Sequence, residues 1–189
     1  APVGQDVAAP HPVHTFMEEH TIILNSLKAL GELVERLKGI DSLDAMGDDR
    51  EKLRDLAHHL VEAESHHQRE EETIFPQLER HDIVEPSRTM KEDHEEFMKR
   101  KKELYQLSLH PEEHDFSAFK QRVTELGEYL VAEMESHIFK EDNILYQVAL
   151  QVFSPEEWER IKKLCDAMGY CCFSPHDQEE GREEAAARG

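Results

Sequence analysis

Two segments of the sequence repeat a histidine that is followed four residues later by a glutamate. In SHHQREEETIFP and SHIFKEDNILYQ, His66 aligns with His137, and Glu70 then aligns with Glu141. Helical residues four apart lie on one face, about 5–6 Å apart at Cβ, so each His and its Glu can bind the same small object. Imidazole and carboxylate are together typical ligands of a divalent metal ion. The repeat therefore indicates metal binding as its first chemical interpretation.

Two further histidines occur at a matching interval. His20 lies in EEHTIILNSLKAL and His94 in EDHEEFMKRKKEL, and the interval between them is nearly the same as that between His66 and His137. The nearly equal intervals predict two similar helical hairpins that bring these side chains to the centre of a bundle. With 13 His and 42 acidic residues in the chain, a single His–Glu pair would more often belong to a solvated face. Two copies in matching register favour a metal site.

The apolar surroundings of the second copy support this interpretation. Leu130 and Met134 lie two turns and one turn before His137, and Leu145 follows it. A His and a carboxylate left unpaired among apolar side chains would cost several kcal/mol, which a bound metal removes. Nitrogen and oxygen donors without thiolate favour iron or manganese over zinc.

The register of the first copy has an alternative. The apolar stripe of the predicted second helix places His67 and Glu71 nearer its centre than His66 and Glu70. The repeat favours His66 and Glu70, because the fourth helix offers only His137 at that position. His67 and Glu71 remain the alternative pair.

Composition limits the possible partners. The chain has 189 residues and a net charge of -20, which disfavours nucleic acid and anionic membrane surfaces. We find no signal peptide or membrane span and expect a cytoplasmic protein. Three cysteines near the C-terminus cannot form a disulfide framework for the domain. Cys171 and Cys172 could serve as a redox or metal element, but incidental thiols are commoner.

The elements that must position these residues are all predicted to be helical. Apolar periodicity predicts four long helices, at about 12–38, 49–80, 87–108 and 116–150. Pro76 should bend or end the second helix. A short fifth helix begins with Ser154 as its N-cap, Pro155 and a capping-box Glu157. The fold class is therefore all-α, an antiparallel four-helix bundle of two pseudo-symmetric hairpins with a short C-terminal helix. We expect a flexible leader at 1–10, the metal-binding bundle at 11–175 and a disordered acidic tail at 176–189.

These motifs together resemble the hemerythrin-like, HHE-type cation-binding domains. The resemblance runs from about His11 to Phe173, and HPVHTF, EEWERI and GYCCF are similar to a subgroup often joined to PAS sensory domains. It implies a four-helix bundle that holds two non-heme iron ions, or manganese or zinc, with a bridging oxo or hydroxo group. The implied metal ligands are His20, His66, Glu70, His94, His137 and Glu141. Asp142 is an alternative carboxylate, because oxygen-carrying hemerythrins place an Asp five residues after that His.

One departure from the oxygen carriers bears on function. Those proteins carry two His four apart on the third helix, whereas Met90 and Met98 flank His94 here. Two six-coordinate irons have about twelve positions, of which roughly two would stay open with this ligand set. We therefore expect binding, sensing or turnover of O2, NO or peroxide, with azide as a probe, rather than simple oxygen storage. The sequence is also compatible with a protein signalling partner or a homodimer.

Two other classes of function compete with this prediction. A ferritin-like protein that oxidises and handles iron would carry Glu-x-x-His on two helices, the reverse of the order found here. A metal-free interaction bundle would leave a histidine cluster that titrates near neutral pH. The sequence leaves open whether the protein is an enzyme.

Overall fold

The computed structural model describes residues 11–170, and every regular element in this range is helical. The helices are α1 (Pro12–Lys38), α2 (Asp49–Glu62), α3 (Glu64–Glu72), α4 (Ile74–Arg80), α5 (Glu85–Leu109), α6 (Phe116–Lys140), α7 (Tyr146–Val152) and α8 (Pro155–Met168). A π-helical segment (Glu141–Leu145) joins α6 to α7, and short 3-10 turns (Asp44–Met46 and Pro111–Glu113) lie in two connections. The predicted all-α class, an antiparallel four-helix bundle with a short C-terminal helix, is confirmed.

The predicted second helix is wrong in one respect, because it consists of the three helices α2, α3 and α4. Pro76 has no N–H for the carbonyl of Glu72, and its ring would clash with that carbonyl in a continuous helix. The break falls three residues before the proline, at Thr73, whose N–H bonds to the Glu70 carbonyl. A second break lies at Ala63. The expected effect of Pro76 is therefore present, and α3 is left as a short segment that carries His66 and Glu70.

The predicted fourth helix is also interrupted. Regular α-helix ends at Lys140, and the Tyr146 N–H bonds to the Glu141 carbonyl, five residues back. Such π-helical insertions occur often at functional sites. Glu141 and Asp142 therefore leave the helix from a widened turn.

The fifth helix begins as the sequence predicts. The Ser154 side chain accepts a hydrogen bond from the Glu157 N–H at 3.2 Å, and the Ser154 N–H donates to Glu157 Oε1. Pro155 occupies the first helical position, where no N–H is needed. This capping box fixes the start of α8.

The chain divides into two compact units, and helices α1, α2, α5 and α6 contribute residues to both. Unit 1 comprises residues 1–22, 62–92 and 138–189, and unit 2 comprises 23–61 and 93–137. The leader, the tail, Cys171 and Cys172 lie outside the described residues. Within residues 11–170, no helix combines the length and the apolar character that a membrane span needs.

Unit 2 is built from antiparallel helical segments. Ser26 contacts His59 on α2, and Arg36 pairs with Asp49 at the opposite end of the same helix. Val34 lies directly against Gly127 on α6, where there is no side chain to separate the two helices. The fully buried side chains of this unit include apolar residues at helical spacing on α1, α2 and α6: Leu27, Leu30, Leu37, Leu53, Leu60, Val123 and Leu130.

Unit 1 has its own apolar core. Phe16 of α1, Ile74 of α4 and Tyr146 of α7 are fully buried in it, and Trp158 of α8 is 8% exposed. Trp158 lies 4.6 Å from His11 and 5.0 Å from Phe153 between ring centroids. Trp158 therefore packs α8 against the apolar core of unit 1.

Candidate metal centre

Four of the six predicted ligands come together in unit 1. His20, His66, Glu70 and Glu141 each offer a donor atom, and these atoms lie within 4.8 Å of one another. All four side chains are at most 1% exposed. His66 Nε2 is 2.8 Å from Glu70 Oε1, and His20 Nε2 is 3.4 Å from Glu141 Oε1. We call these four residues the unit 1 donor set.

Three helical elements supply this donor set. His66 and Glu70 lie one turn apart on α3, and His20 projects from α1. Glu141 is the first residue of the π-helical segment and is fully buried. In both copies of the repeat, the regular helix is interrupted close to the glutamate: at Thr73, three residues after Glu70, and from Glu141 itself onward.

Asp142 contacts His20 from the opposite side of the ring. His20 Nδ1 donates to Asp142 Oδ1 at 2.7 Å, whereas Nε2 faces Glu141. Burial lowers the pKa of His20, but the hydrogen bonds to Asp142 and Glu141 outweigh it and raise the pKa to about 10. Of the two carboxylates left open by the sequence, Glu141 belongs to the unit 1 donor set and Asp142 orients the His20 ring.

A buried acid contacts the ring of His66 in the same way. His66 Nδ1 donates to Glu19 Oε2 at 3.3 Å. Arg69 binds both oxygens of Glu19, with 2.7 Å between Nη1 and Oε1. Burial opposes ionisation of Glu19, but the hydrogen bonds from Arg69 and His66 outweigh it and hold its pKa below the ordinary value. Glu19 is therefore a buried carboxylate ion between a guanidinium and an imidazole.

In His20 and His66, the hydrogen bond at Nδ1 determines how the other ring nitrogen, Nε2, can act as a ligand. An imidazole that donates Nδ1–H to a carboxylate presents a lone pair at Nε2. His20 and His66 both donate from Nδ1, and their Nε2 atoms face each other across 3.1 Å. Two lone pairs at this distance repel unless a proton or a metal cation lies between them. The geometry and the mixed donors of the unit 1 donor set thus fit a divalent metal ion.

Tyr146 adds a hydroxyl to the same cluster. Its O–H donates to Glu70 Oε2 at 3.0 Å and lies 3.5 Å from His20 Nε2. Burial and the charge of Glu141 raise the pKa of Glu70, and burial beside these acids raises the pKa of Tyr146 well above its ordinary value. Tyr146 therefore stays a neutral donor that fixes one oxygen of Glu70.

The other two predicted ligands contact each other in unit 2. His94 Nε2 and His137 Nε2 are 3.0 Å apart, close to the 3.1 Å separation between His20 and His66. His137 Nδ1 donates to Asp93 Oδ2 at 3.0 Å. His94 and His137 thus repeat the arrangement of His20 and His66.

Burial separates the two register alternatives on α3. Glu70 is fully buried, whereas Glu71 is only partly buried. Both histidines are buried, and His67 Nδ1 is 3.7 Å from Glu70 Oε1. In unit 1 the donor set contains His66 and Glu70.

Sequence reasoning missed the outer carboxylates. Glu19 and Asp93 directly precede His20 and His94 in EEH and EDH, so the two acids are separated by the same interval as the two histidines. This equal interval marks the two acids in the sequence once the histidines are taken as ligands. Arg69 had no such signal, because nothing in its local pattern indicates a buried partner fifty residues away.

Two other described residues carry possible ligand atoms. His14 is 29% exposed and pairs with Glu18 on the surface of α1. Burial raises the pKa of the Cys165 thiol to about 11, which makes it a poor nucleophile. Neither residue belongs to the unit 1 donor set.

Comparison with known protein families assigns this chain to one of them. No curated protein matches the sequence. The family described as the hemerythrin HHE cation binding domain matches residues 11–149. This range contains all six predicted ligands. The chain belongs to the hemerythrin HHE cation-binding family.

Proposed function

We propose that the protein holds two non-heme iron ions and uses them to bind or sense O2, NO or peroxide. The observation that carries this proposal is the convergence of His20 Nε2 and His66 Nε2, 3.1 Å apart, beside Glu70 and Glu141. Two imidazoles and two carboxylates suit iron, with manganese and zinc as competing metals. Helical-bundle proteins build two-metal centres from such carboxylate and histidine side chains.

The second ion is assigned from the sequence repeat and from unit 2. His94 and His137 are the matched counterparts of His20 and His66. Their Nε2 atoms are also close enough to bind one metal ion together, at 3.0 Å. Asp93 orients His137 as Glu19 orients His66. We assign these two histidines to the second iron.

Small reactants follow from the burial of the donors. None of the four side chains of the unit 1 donor set is more than 1% exposed, so a bulky organic substrate has no direct contact with them. When bound, the iron pair would supply the electrons and open coordination positions that such small oxidants require. Tyr146 keeps Glu70 in one orientation, and Asp142 keeps the His20 ring in one orientation.

The sensing part of the proposal has a narrower basis. It rests on the sequence likeness to chains joined to PAS domains and on the roughly two coordination positions that the predicted ligand set leaves open. A signalling protein or a second copy of the chain would then respond to the state of the site.

Metal content and the visible spectrum test the proposal. We expect about two irons per chain after aerobic purification and near-ultraviolet oxo-bridge absorption that changes on addition of azide or peroxide. His66→Ala and His137→Ala should each abolish this absorption. His14→Ala, which changes a surface histidine, should leave it unchanged.

The same measurements separate the competing functions. Many more than two irons per chain would favour ferritin-like iron handling. A colourless protein that takes up no iron, manganese or zinc would contradict the proposal and leave a metal-free bundle.

A further inference from the structure

The two orienting carboxylates occupy equivalent places but different surroundings. Glu19 is fully buried, whereas the Asp93 side chain is 36% exposed. Water competes for the hydrogen bonds of Asp93 but has no access to Glu19. The histidine that each acid orients is therefore held with different rigidity.

Arg69 strengthens this difference. It binds both oxygens of Glu19, and its guanidinium carbon lies 5.6 Å from the Phe16 ring centroid and 4.9 Å from that of Tyr170. The planar fork and the two rings restrict Arg69 to one arrangement. Glu19 is thus fixed by a cation that leaves one of its oxygens, Oε2, in contact with His66.

The arrangement has a direct effect on the donor atom of His66. A carboxylate at Nδ1 fixes the tautomer and the ring orientation, and it makes Nε2 a stronger donor to a metal. Because Arg69 balances the charge of Glu19, the acid provides this orientation without adding net charge beside Glu70 and Glu141. Removing such outer partners typically lowers metal affinity about 10–100-fold.

We propose that Glu19, held by Arg69, is a positioning residue that makes the unit 1 donor set the tighter metal position, which fills before the position served by His94 and His137. This inference rests on the proposed two-metal function. Asp93 has the corresponding but weaker effect on His137. The two metal positions are therefore unequal, although the sequence repeat makes their ligands look equivalent.

Cobalt(II) titration of the metal-free full chain tests this order, with visible d–d absorption as the spectroscopic readout and chelator competition as the measure of affinity. We expect two successive binding steps. Glu19→Gln should weaken the first step about 10–100-fold and shift its absorption bands. Asp93→Asn should weaken only the second step. Glu18→Gln changes the adjacent, surface acid and should change neither step.

Two further variants keep the test independent of folding. Glu19→Gln/Arg69→Met removes both buried charges and should show the same loss in the first step if Glu19→Gln alone fails to fold. His137→Ala should keep the first step and lose the second.

The outcomes separate the two proposals. Unchanged first-step affinity and spectrum in folded Glu19→Gln or in the double variant would overturn the inference and leave the two-metal function standing. Loss of the first step in His137→Ala would also overturn it, because the order would be reversed. A wild-type chain that binds no metal would overturn the proposed function itself.

Discussion

Replacing Arg69 by Met should destabilise the metal-free protein by about 3 kcal/mol, because it leaves a buried carboxylate without its cation. Arg69 is 1% exposed and Glu19 is fully buried, so water cannot replace the lost hydrogen bonds. Removing one partner of a buried ion pair costs about 3–5 kcal/mol. His66 Nδ1, at 3.3 Å, remains a donor to Glu19, which places the expected loss at the lower end.

A double variant separates the stranded charge from lost packing. Glu19→Gln/Arg69→Met removes both charges of this ion pair, so its loss of stability should be smaller than that of Arg69→Met alone. Residues in one hydrogen-bond network show coupling energies of about 0.5–3 kcal/mol. We expect a coupling in the upper half of this range, since both oxygens of Glu19 are bound by Arg69.

Urea unfolding provides the measurement. Circular dichroism follows the helices, and the fluorescence of Trp158, the single tryptophan, follows the core of unit 1. Coincident transitions by the two probes would justify a two-state free energy. Arg88→Met is the matched control, because Arg88 pairs with Glu85 on the surface and should contribute less than about 1 kcal/mol. A loss for Arg69→Met no larger than that of this control would refute the reasoning.

Three further predictions concern packing, protonation and capping. Gly127→Ala should lower stability by about 1–2 kcal/mol, because the new Cβ would lie 2.6 Å from Val34 Cγ2. Gly31→Ala should instead raise stability by about 0.5–1 kcal/mol, because the nearest contact of its Cβ is at 3.8 Å. A change of the free energy of unfolding in the same direction for both variants, measured by urea unfolding, would contradict this prediction. The hydrogen bonds that raise the pKa of His20 to about 10, against the effect of burial, keep it protonated at neutral pH. A metal must displace that proton, so affinity measured by chelator competition should increase from pH 6 to 9, and a flat profile would contradict the assignment. Ser154→Ala removes the acceptor at the start of α8 and should cost about 1 kcal/mol in thermal unfolding, whereas Ser154→Asp should largely retain stability.

The sequence was sufficient for the extent of the long helical segments and for the donors that the structure gathers in unit 1. The period of apolar residues predicted α1 at 12–38, and the structure has Pro12–Lys38. Spacing within one helix is regular, so a His and a Glu four residues apart are predictable as neighbours. The repeat then indicated which of the many His and acidic residues belong together, because chance pairs do not recur at matching intervals.

The interruptions of the helices were only partly predictable. Pro76 indicated a break, but the break lies at Thr73, whose N–H bonds to the carbonyl of Glu70, three residues back, instead of the carbonyl four residues back. The π-helical segment after Lys140 has no proline or glycine to indicate it. An extra residue in a turn changes which side chains share a face, and for this reason the sequence could not choose between Glu141 and Asp142. The structure assigns both to His20, one at each ring nitrogen.

The residues that orient the histidines were the hardest to predict, for a physical reason. A ligand must project from a helix in a fixed register, whereas an outer carboxylate needs only to reach Nδ1 of a ring on another helix. Glu19 reaches His66 across 47 residues of sequence, and Arg69 then reaches Glu19 across 50. In a chain with 42 acidic residues, such a partner has no local pattern of its own. The acid before each lone histidine, repeated at the same interval as the histidines themselves, becomes informative only when the ligands are already known. Internal repeats should therefore be compared at the flanking positions as well as at the ligands, since matched flanking acids indicate which ring nitrogen faces the metal.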